Sequence, residues 1–437
     1  MNKKIFLTAE LLAMMSGTTY ASVIDNSNDP AYIEKTVAAD NAKAKSESPK
    51  LAQLKKNFPA KISLVDKDAS KAAVNLFKYL YAVGKSNYVI YGHENDAHHK
   101  MFRPEGGTES DTKDITGSLS GIVGFDSLSF VGDELRLSDV DWNMGVRYVD
   151  KMAEFTEKAA AEGSILTLSM HLPNFDRVAR KAEITGETDF QGYSPHILEG
   201  NVANRILPSG NLNETYKKYL DLVADYALKM QEKNIPIIFR PFHEHNGTWF
   251  WWGVKTTSET DFQKLWEYTV NYFRNEKGVH NFLYAYSPHE PFKTAEKYLL
   301  RYPGDEYVDI LEIDSYDDDQ TGEWYKNLDM SLKVIKNLAD KRGKIIAITE
   351  CGVRRGGSLA VTGNVDKKWF GKIGEISRKY GAAYFMTWSN FEKLEHNFFT
   401  PYMVSKTRGH EMLNDFVNFY NEPGTLFADG IADYRSW

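Results

Sequence analysis

The 437-residue chain carries a single cysteine, Cys351. An intramolecular disulfide is therefore impossible, and a zinc site built from thiolates is excluded. No apolar run after the N-terminus reaches the roughly 20 residues that a membrane-spanning helix needs. No G-x-G-x-x-G follows the first strand and no G-x-x-x-x-G-K-[ST] is present, so nucleotide binding lacks its usual support. Positive charge is in deficit: 53 Lys and Arg against 60 Asp and Glu give a formal net charge of -7. With no basic stripe interleaved with aromatics, this argues against a nucleic-acid partner. H-E-x-x-H is missing too, and His93, His98 and His99 in "YGHENDAHH" do not supply it.

What is present fits a large globular chain, 42% hydrophobic and 26% charged. Aromatics reach 13%, with nine Trp and 25 Tyr, which suits a large core or a carbohydrate groove. Residues 1–22, "MNKKIFLTAELLAMMSGTTYAS", pair a positive start with an apolar stretch and small residues near Ala21 and Ser22. This resembles a secretory signal peptide and implies a periplasmic or secreted protein. Residues 23–65 read as a polar lead-in or linker, and residues 66–437 as the main folded domain.

From residue 66 onward short apolar runs alternate with helical stretches. The runs are "NYVIYGHE", "GIVGFD", "SILTLSMH", "IPIIFRPFHE", "NFLYAYSP", "VDILEIDSY", "KIIAITECG" and "AAYFMTWS". Eight such candidates predict an α/β fold, a closed (β/α)8 TIM barrel. Most runs turn polar or aromatic at their ends. His93 and Glu94 close the first, Asp126 the second and His171 the third. Glu244 closes the fourth, Asp314 and Tyr316 the sixth, Glu350 the seventh and Trp388 the eighth. In a parallel barrel these ends meet on one face, where such folds hold their active sites.

Glu244 and Glu350 are each the first carboxylate at the end of an apolar run. Two carboxyls across a sugar can break a glycosidic bond: one protonates the leaving oxygen, and the other attacks the anomeric carbon or activates water. Period-two alternation puts Arg240, Phe242 and Glu244 on one face of an unbulged strand. A buried Arg240 needs a carboxylate or carbonyl partner, and either orients one of the glutamates or is purely structural. Tyr316 can donate a phenolic hydrogen bond to the nucleophile, and His243 can donate to a carboxylate or a sugar hydroxyl. Trp249, Phe250, Trp251 and Trp252 offer flat apolar platforms for sugar faces. At least one is expected on substrate and at least one in packing. Trp388 is expected to floor the central sugar site.

"RPFHEHNGTWFWWG", with "ITECG" and "MTW", resembles glycoside hydrolase family 26, mostly β-mannanases on a (β/α)8 barrel. The resemblance spans roughly Ser70 to Tyr434 and includes "YGHE" and "FADGIADY". It implies that Glu244 is the acid/base and Glu350 the nucleophile of a retaining β-1,4-mannanase, endo-acting or mannobiose-releasing. It also implies sugar-contacting roles for His171, His243, Trp249, Asp314, Tyr316 and Trp388. Mannan, galactomannan or glucomannan would be the substrate, with no metal or other cofactor. Many members carry an apolar residue after the acid; here His245 stands there, so the subsite beyond the scissile bond is expected to differ. The family also contains β-1,3-1,4-glucanases and β-1,3-xylanases, which stay open as alternatives. Two rivals need other chemistry. A metal-dependent barrel hydrolase would use "HEH" at 243 to 245, and a glycan-binding barrel would need the aromatics without both carboxylates.

Overall fold

The computed structural model describes residues 33–34, 51–101, 107–391, 397–405 and 408–437. The leader-like residues 1–22 and most of the lead-in lie outside the described residues. Eight parallel strands form a closed ring: β1 (Val89–Glu94), β2 (Ile122–Asp126), β3 (Ile165–Met170), β4 (Ile237–Pro241), β5 (Phe282–Tyr286), β6 (Ile310–Asp317), β7 (Ile345–Val353) and β8 (Ala382–Thr387). Each pairs with the next, and Ile90 to His93 of β1 pair with Tyr384 to Thr387 of β8 to close the barrel. The expected (β/α)8 architecture is the one observed. Helix α1 (Lys71–Gly84) precedes the ring. The main connecting helices are α2 (Tyr148–Ala161), α3 (Asn213–Glu232), α4 (Glu259–Asn271), α5 (Glu323–Arg342) and α6 (Trp369–Tyr380), and α7 (Leu413–Asn421) follows the last strand. Between β5 and β6 the helical layer shrinks to one turn, Ala295–Tyr298. No helix among the described residues is long and apolar enough to cross a membrane.

Every residue of these strands is buried, because helices cover one face and the barrel interior takes the other. Alternate residues accordingly divide between two cores. Val89, Tyr91, Val123, Phe125, Leu166 and Leu168 face outward and pack with Leu220, Leu265, Ile335 and Phe370 of the helices. Ile90, Ile122, Ile165, Ile238, Leu283, Ile310 and Ile345, one from each of β1 to β7, join Leu76, Phe77 and Leu80 of α1 in the other core. Helix α1 thus closes the barrel floor. Ser70 caps it by accepting from the Ala73 N–H at 3.2 Å. Emptying one of its buried positions, as in Leu80→Ala, should cost about 2–5 kcal/mol.

Above this aliphatic floor the interior turns polar. Thr167, Ser169, Arg240, Glu312 and Asp314 occupy inward positions, all buried. Burial pushes the Glu312 carboxyl up to about 8, although the Tyr384 hydroxyl donates to it at 2.5 Å. One irregularity decides what reaches the rim. Ile313 pairs with Ile348, but the next residue, Asp314, pairs with Glu350. Ala347 faces inward while Ile346 and Ile348 face outward, so simple alternation would turn Thr349 inward and Glu350 outward. The extra residue reverses the parity: Glu350 enters the barrel and Cys351 joins the outer core.

The lead-in meets the barrel before residue 66. A short helix, Leu51–Lys55, is followed by Leu64 and Val65, and Leu54, Leu64 and Val65 are buried. The Val65 N–H donates to Asp309 Oδ1 at 2.8 Å.

Candidate active site

Strand β4 stops at Pro241, and alternation ends with it. Phe242 and Glu244 both take left-handed backbone angles, with φ of 51° and 50°. Phe242 therefore does not share the inward face of Arg240, as an unbroken strand would require. Its ring turns into the outer core against Trp252, Phe262 and Trp266. Each such residue costs on the order of 1–3 kcal/mol of backbone strain, which the burial of a phenyl ring offsets. The Glu244 N–H donates to the Ser287 carbonyl at 2.7 Å, tying the turn to the end of β5.

This places Glu244 and Glu350 at the barrel mouth, 7% and 5% exposed, enough for a ligand to reach. Glu350 Oε1 accepts from the Tyr316 hydroxyl at 2.7 Å, and Oε2 accepts from Arg240 Nη2 at 2.9 Å. Arg240 also donates from Nη1 to Asp314 Oδ2 at 3.1 Å. Burial alone would weaken the Arg240 charge, but Asp314 and Glu350 more than restore it. Asp314 is fully buried, and its remaining bonds come from Ser287 and Thr349. Asp314 is expected against sugar; its side chain is wholly buried here and is linked to Glu350 through Arg240.

The partners of Glu244 are of another kind. Its Oε2 accepts from Trp249 Nε1 at 2.8 Å, and its Oε1 lies 3.1 Å from His289 Nδ1. Burial lifts the Glu244 carboxyl, but the bonds from His289 and Trp249 outweigh it and bring it below the ordinary value. Burial lifts Glu350 as well. Arg240 and Tyr316 pull it down, the negative charge of Glu244 pushes it up, and the net direction is upward. The two carboxylates thus repel each other, and a proton on one eases ionisation of the other.

Beside them His171 Nδ1 donates to Asp126 Oδ2 at 2.8 Å, and its Nε2 faces His243 Nε2 at 3.1 Å. Burial opposes a charge on His171, yet Asp126 dominates and raises it to about 9. Burial, then Arg240, drives His243 far below the usual histidine value. A charged His171 therefore donates to the neutral His243, whose Nε2 stands 4.0 Å from Glu350 Oε2.

Of the four aromatics after the acid, three are packed inward, where at least one is expected to be. Phe250 stacks on Trp252 with centroids 4.3 Å apart, and Trp251 stands perpendicular to Trp252. Their indoles donate inward, Trp251 to the Leu172 carbonyl and Trp252 to the His243 carbonyl. Trp249 alone of the four is half-exposed. Its ring lies over Gly247, where a Cβ would come within 2.4 Å of the indole. Across the mouth Trp388 is also half-exposed, its ring 5.6 Å from that of His171.

His245 does not reach this surface. Its ring packs between Phe262 and Tyr286, at 4.4 and 4.7 Å, because the left-handed Glu244 sends the next side chain back into the core. An altered subsite cannot be attributed to it. The histidines of "YGHENDAHH" also separate: His93 Nδ1 meets Asp96 at 3.0 Å, while His98 stacks on Phe125 and Phe155. Among the described residues no three His, Cys, Asp or Glu side chains are grouped to hold a metal ion.

Neither His289 nor Asn246 stood out in the sequence. The fifth apolar run ends in Ser-Pro, so its end carried no group of evident chemistry; the signal was the His-Glu pair just beyond it.

The family model for glycosyl hydrolase family 26 matches residues 65–397. The chain belongs to that family. Among its family-26 relatives, a mannan endo-1,4-β-mannosidase of Bifidobacterium adolescentis is 33% identical over 382 residues. That alignment takes in 84% of this chain but only 36% of the relative's length. The catalytic domain of an endo-β-1,4-mannanase from Bacillus sp. JAMB-750 superposes with a TM-score of 0.76 at 32% identity, covering 87% of this chain and 97% of that one. An endo-β-1,4-mannanase of Cellulomonas fimi gives 0.73 at 32% identity, covering 86% and 80%. In this family-26 chain Glu244, Glu350, Tyr316, His171, Trp249 and Trp388 surround one mouth, with Arg240, Asp314 and His243 beneath.

Proposed function

We propose that the chain is a retaining β-1,4-mannanase in which Glu350 is the nucleophile and Glu244 the acid and base. The observation that carries this reading is the contrast between the two carboxyls. Glu350 is gripped by a permanent cation and a phenol, Arg240 and Tyr316, which favour an ionised oxygen aimed at carbon. Glu244 is held by an indole and by a group that itself titrates, which suits a carboxyl that must gain and lose a proton. Burial and the charge of Glu244 both lift Glu350; a proton on Glu244 removes the second of these, so each state prepares the other.

Trp249 and Trp388 serve as stacking platforms for sugar rings. Mannose differs from glucose by an axial 2-hydroxyl. His171, beside Trp388, is the polar group we assign to reading it, with His243 behind it. The mannanases among the relatives support mannan as the substrate, and the leader-like N-terminus supports a periplasmic or secreted place of action.

The test is product analysis on mannan, galactomannan and mixed-linkage β-glucan side by side, with NMR of the first reducing ends. Mannan should be cleaved, and the new end should appear first as the β-anomer. Cleavage of glucan alone would move the substrate. An initial α-anomer would make Glu350 a base. No reducing ends on any polymer would leave a glycan-binding barrel.

A further inference from the structure

His289 follows β5 and is held more firmly than a loop residue needs to be. Its N–H donates to Asn246 Oδ1 at 2.8 Å, and its carbonyl accepts from Asn246 Nδ2 at 2.7 Å. The neighbouring backbone is laced to β6: Asp314 donates to the Pro288 carbonyl and Glu290 to the Asp314 carbonyl. The imidazole stands edge-on to Trp249, centroids 5.5 Å apart at 90°, with Nδ1 3.1 Å from Glu244 Oε1. The loop that carries the acid thus also carries Asn246, which holds the backbone of His289 beside that acid.

We propose that Glu244 and His289 hold one proton between them, with His289 the positioning residue that keeps it available for the departing sugar oxygen. The proposal rests on the reading of Glu244 as acid and base.

The surroundings favour the proton on Nδ1. Burial opposes it there, but contact with Glu244 more than compensates. Other charges face the pair. Asp314 from β6 favours the imidazolium and Arg354, beyond β7, opposes it, while Glu290 lies beside the ring. Glu350 and Asp314 repel a negative Glu244, and His196 faces it from the β3–β4 connection. A sugar that displaces water from the mouth removes the solvation of an ion pair. The neutral arrangement, carboxylic acid beside imidazole, then gains, and the charge on Glu350 pushes the same way. The proton passes from Nδ1 to Oε1 and on to the glycosidic oxygen as its bond to carbon breaks and Glu350 bonds to that carbon. Neutral imidazole and carboxylate remain. In the second step Glu244 takes a proton from water as the water oxygen attacks and the bond to Glu350 breaks, which restores the pair.

A coupled pair loses its last proton at a pH no lower than either member would in that charge state. The alkaline limb of kcat/KM, which reports the free enzyme, should therefore lie higher than Glu244 alone would set it. His289→Asn keeps a neutral N–H donor but cannot store a proton. On manno-oligosaccharides its alkaline limb should move to lower pH by about one unit. The phenolate burst from a dinitrophenyl mannoside, which needs no acid, should keep its pH dependence. A limb that stays in place while kcat falls evenly at every pH would overturn the proposal.

A second measurement does not depend on that variant's activity. The His289 imidazole, identified by its missing signal in His289→Asn or His289→Gln, is titrated by 15N NMR in the wild-type chain and in Glu244→Gln. Its midpoint should fall by about one unit or more once the carboxylate is gone. An unchanged midpoint would overturn the shared proton. Failure of the underlying reading looks different: Glu244→Gln would go on hydrolysing mannan whatever His289 does.

Discussion

At the top of β7 one extra residue turns Glu350 inward, where Arg240 and Tyr316 fix both of its oxygens. At the end of β4 two left-handed residues swing Glu244 over the mouth, where Trp249 and His289 hold it. The first device belongs to a strand paired on both sides, and its donors rise from the barrel interior. The second belongs to a turn, and its partners sit at the rim. The difference teaches how one scaffold treats two copies of the same side chain. On the proposed reading, the group that attacks carbon is set in a rigid, permanently charged frame, and the group that trades protons is set among neighbours that can change state.

Removing the carboxyls themselves should have the largest effect. Glu350→Ala should lower turnover of mannan and aryl mannosides alike by about a thousandfold or more, with folding unchanged by circular dichroism. Glu244→Ala should lower mannan hydrolysis by about 10²- to 10⁴-fold yet keep a near-normal burst of dinitrophenolate. Azide should then speed its slow phase and be trapped as the β-mannosyl azide. If the burst and the azide product belong to the Glu350 variant instead, the two roles are exchanged.

The rigid frame can be broken from beneath. Arg240→Met leaves Asp314 and Glu350 buried without their cation, and denaturant unfolding should show a loss of about 3–5 kcal/mol. Trp249→Phe, on the adjustable side, should change stability by less than about 1 kcal/mol. Comparable losses in both would erase the contrast.

A smaller effect is expected at Trp388. Trp388→Ala should reduce activity more than about tenfold through a lost stacking face, with thermal stability unchanged. Normal activity per folded molecule alongside a large drop in melting temperature would make the ring part of the core.

The smallest effect concerns pH. The folded state raises His171 to about 9 through Asp126, against the push of burial. Its stabilisation is then fully present below the ordinary value of about 6.5 and is lost as pH rises toward about 9. The melting temperature should fall across that window, and fall less in Asp126→Asn. An equal fall in both would remove the Asp126–His171 pair as its source.

Much of this was legible in the sequence because barrel strands report their direction. Apolar runs that end in His171, Glu244, Tyr316, Glu350 and Trp388 announce one face, and the closed ring follows from their number and spacing. The orientation of individual side chains was less legible. Alternation holds in β4 as far as Arg240 and then fails at Phe242, because a left-handed residue leaves no mark in the letters unless it is glycine. The same break sends His245 into the core, though its neighbours suggested a place in the groove. In β7 the bulge is silent too: Thr349 and Glu350 are both polar, and either parity looked acceptable. His289 escaped because its chemistry arises only when β5 and the acid-bearing turn are brought together.

The floor of the barrel has a consequence for what the mouth can do. Seven aliphatic side chains and α1 close the lower end, so a covalent glycosyl group on Glu350 would be reached from above alone. Whatever enters the space vacated by the first product, be it water, an alcohol or another sugar, must use the same approach and competes for the same carbon. The ratio of hydrolysis to sugar transfer then becomes a matter of occupancy at the rim. If Trp249 stacks on sugar as proposed, it would retain a sugar acceptor longer than water and tilt that ratio toward chain transfer as acceptor concentration rises.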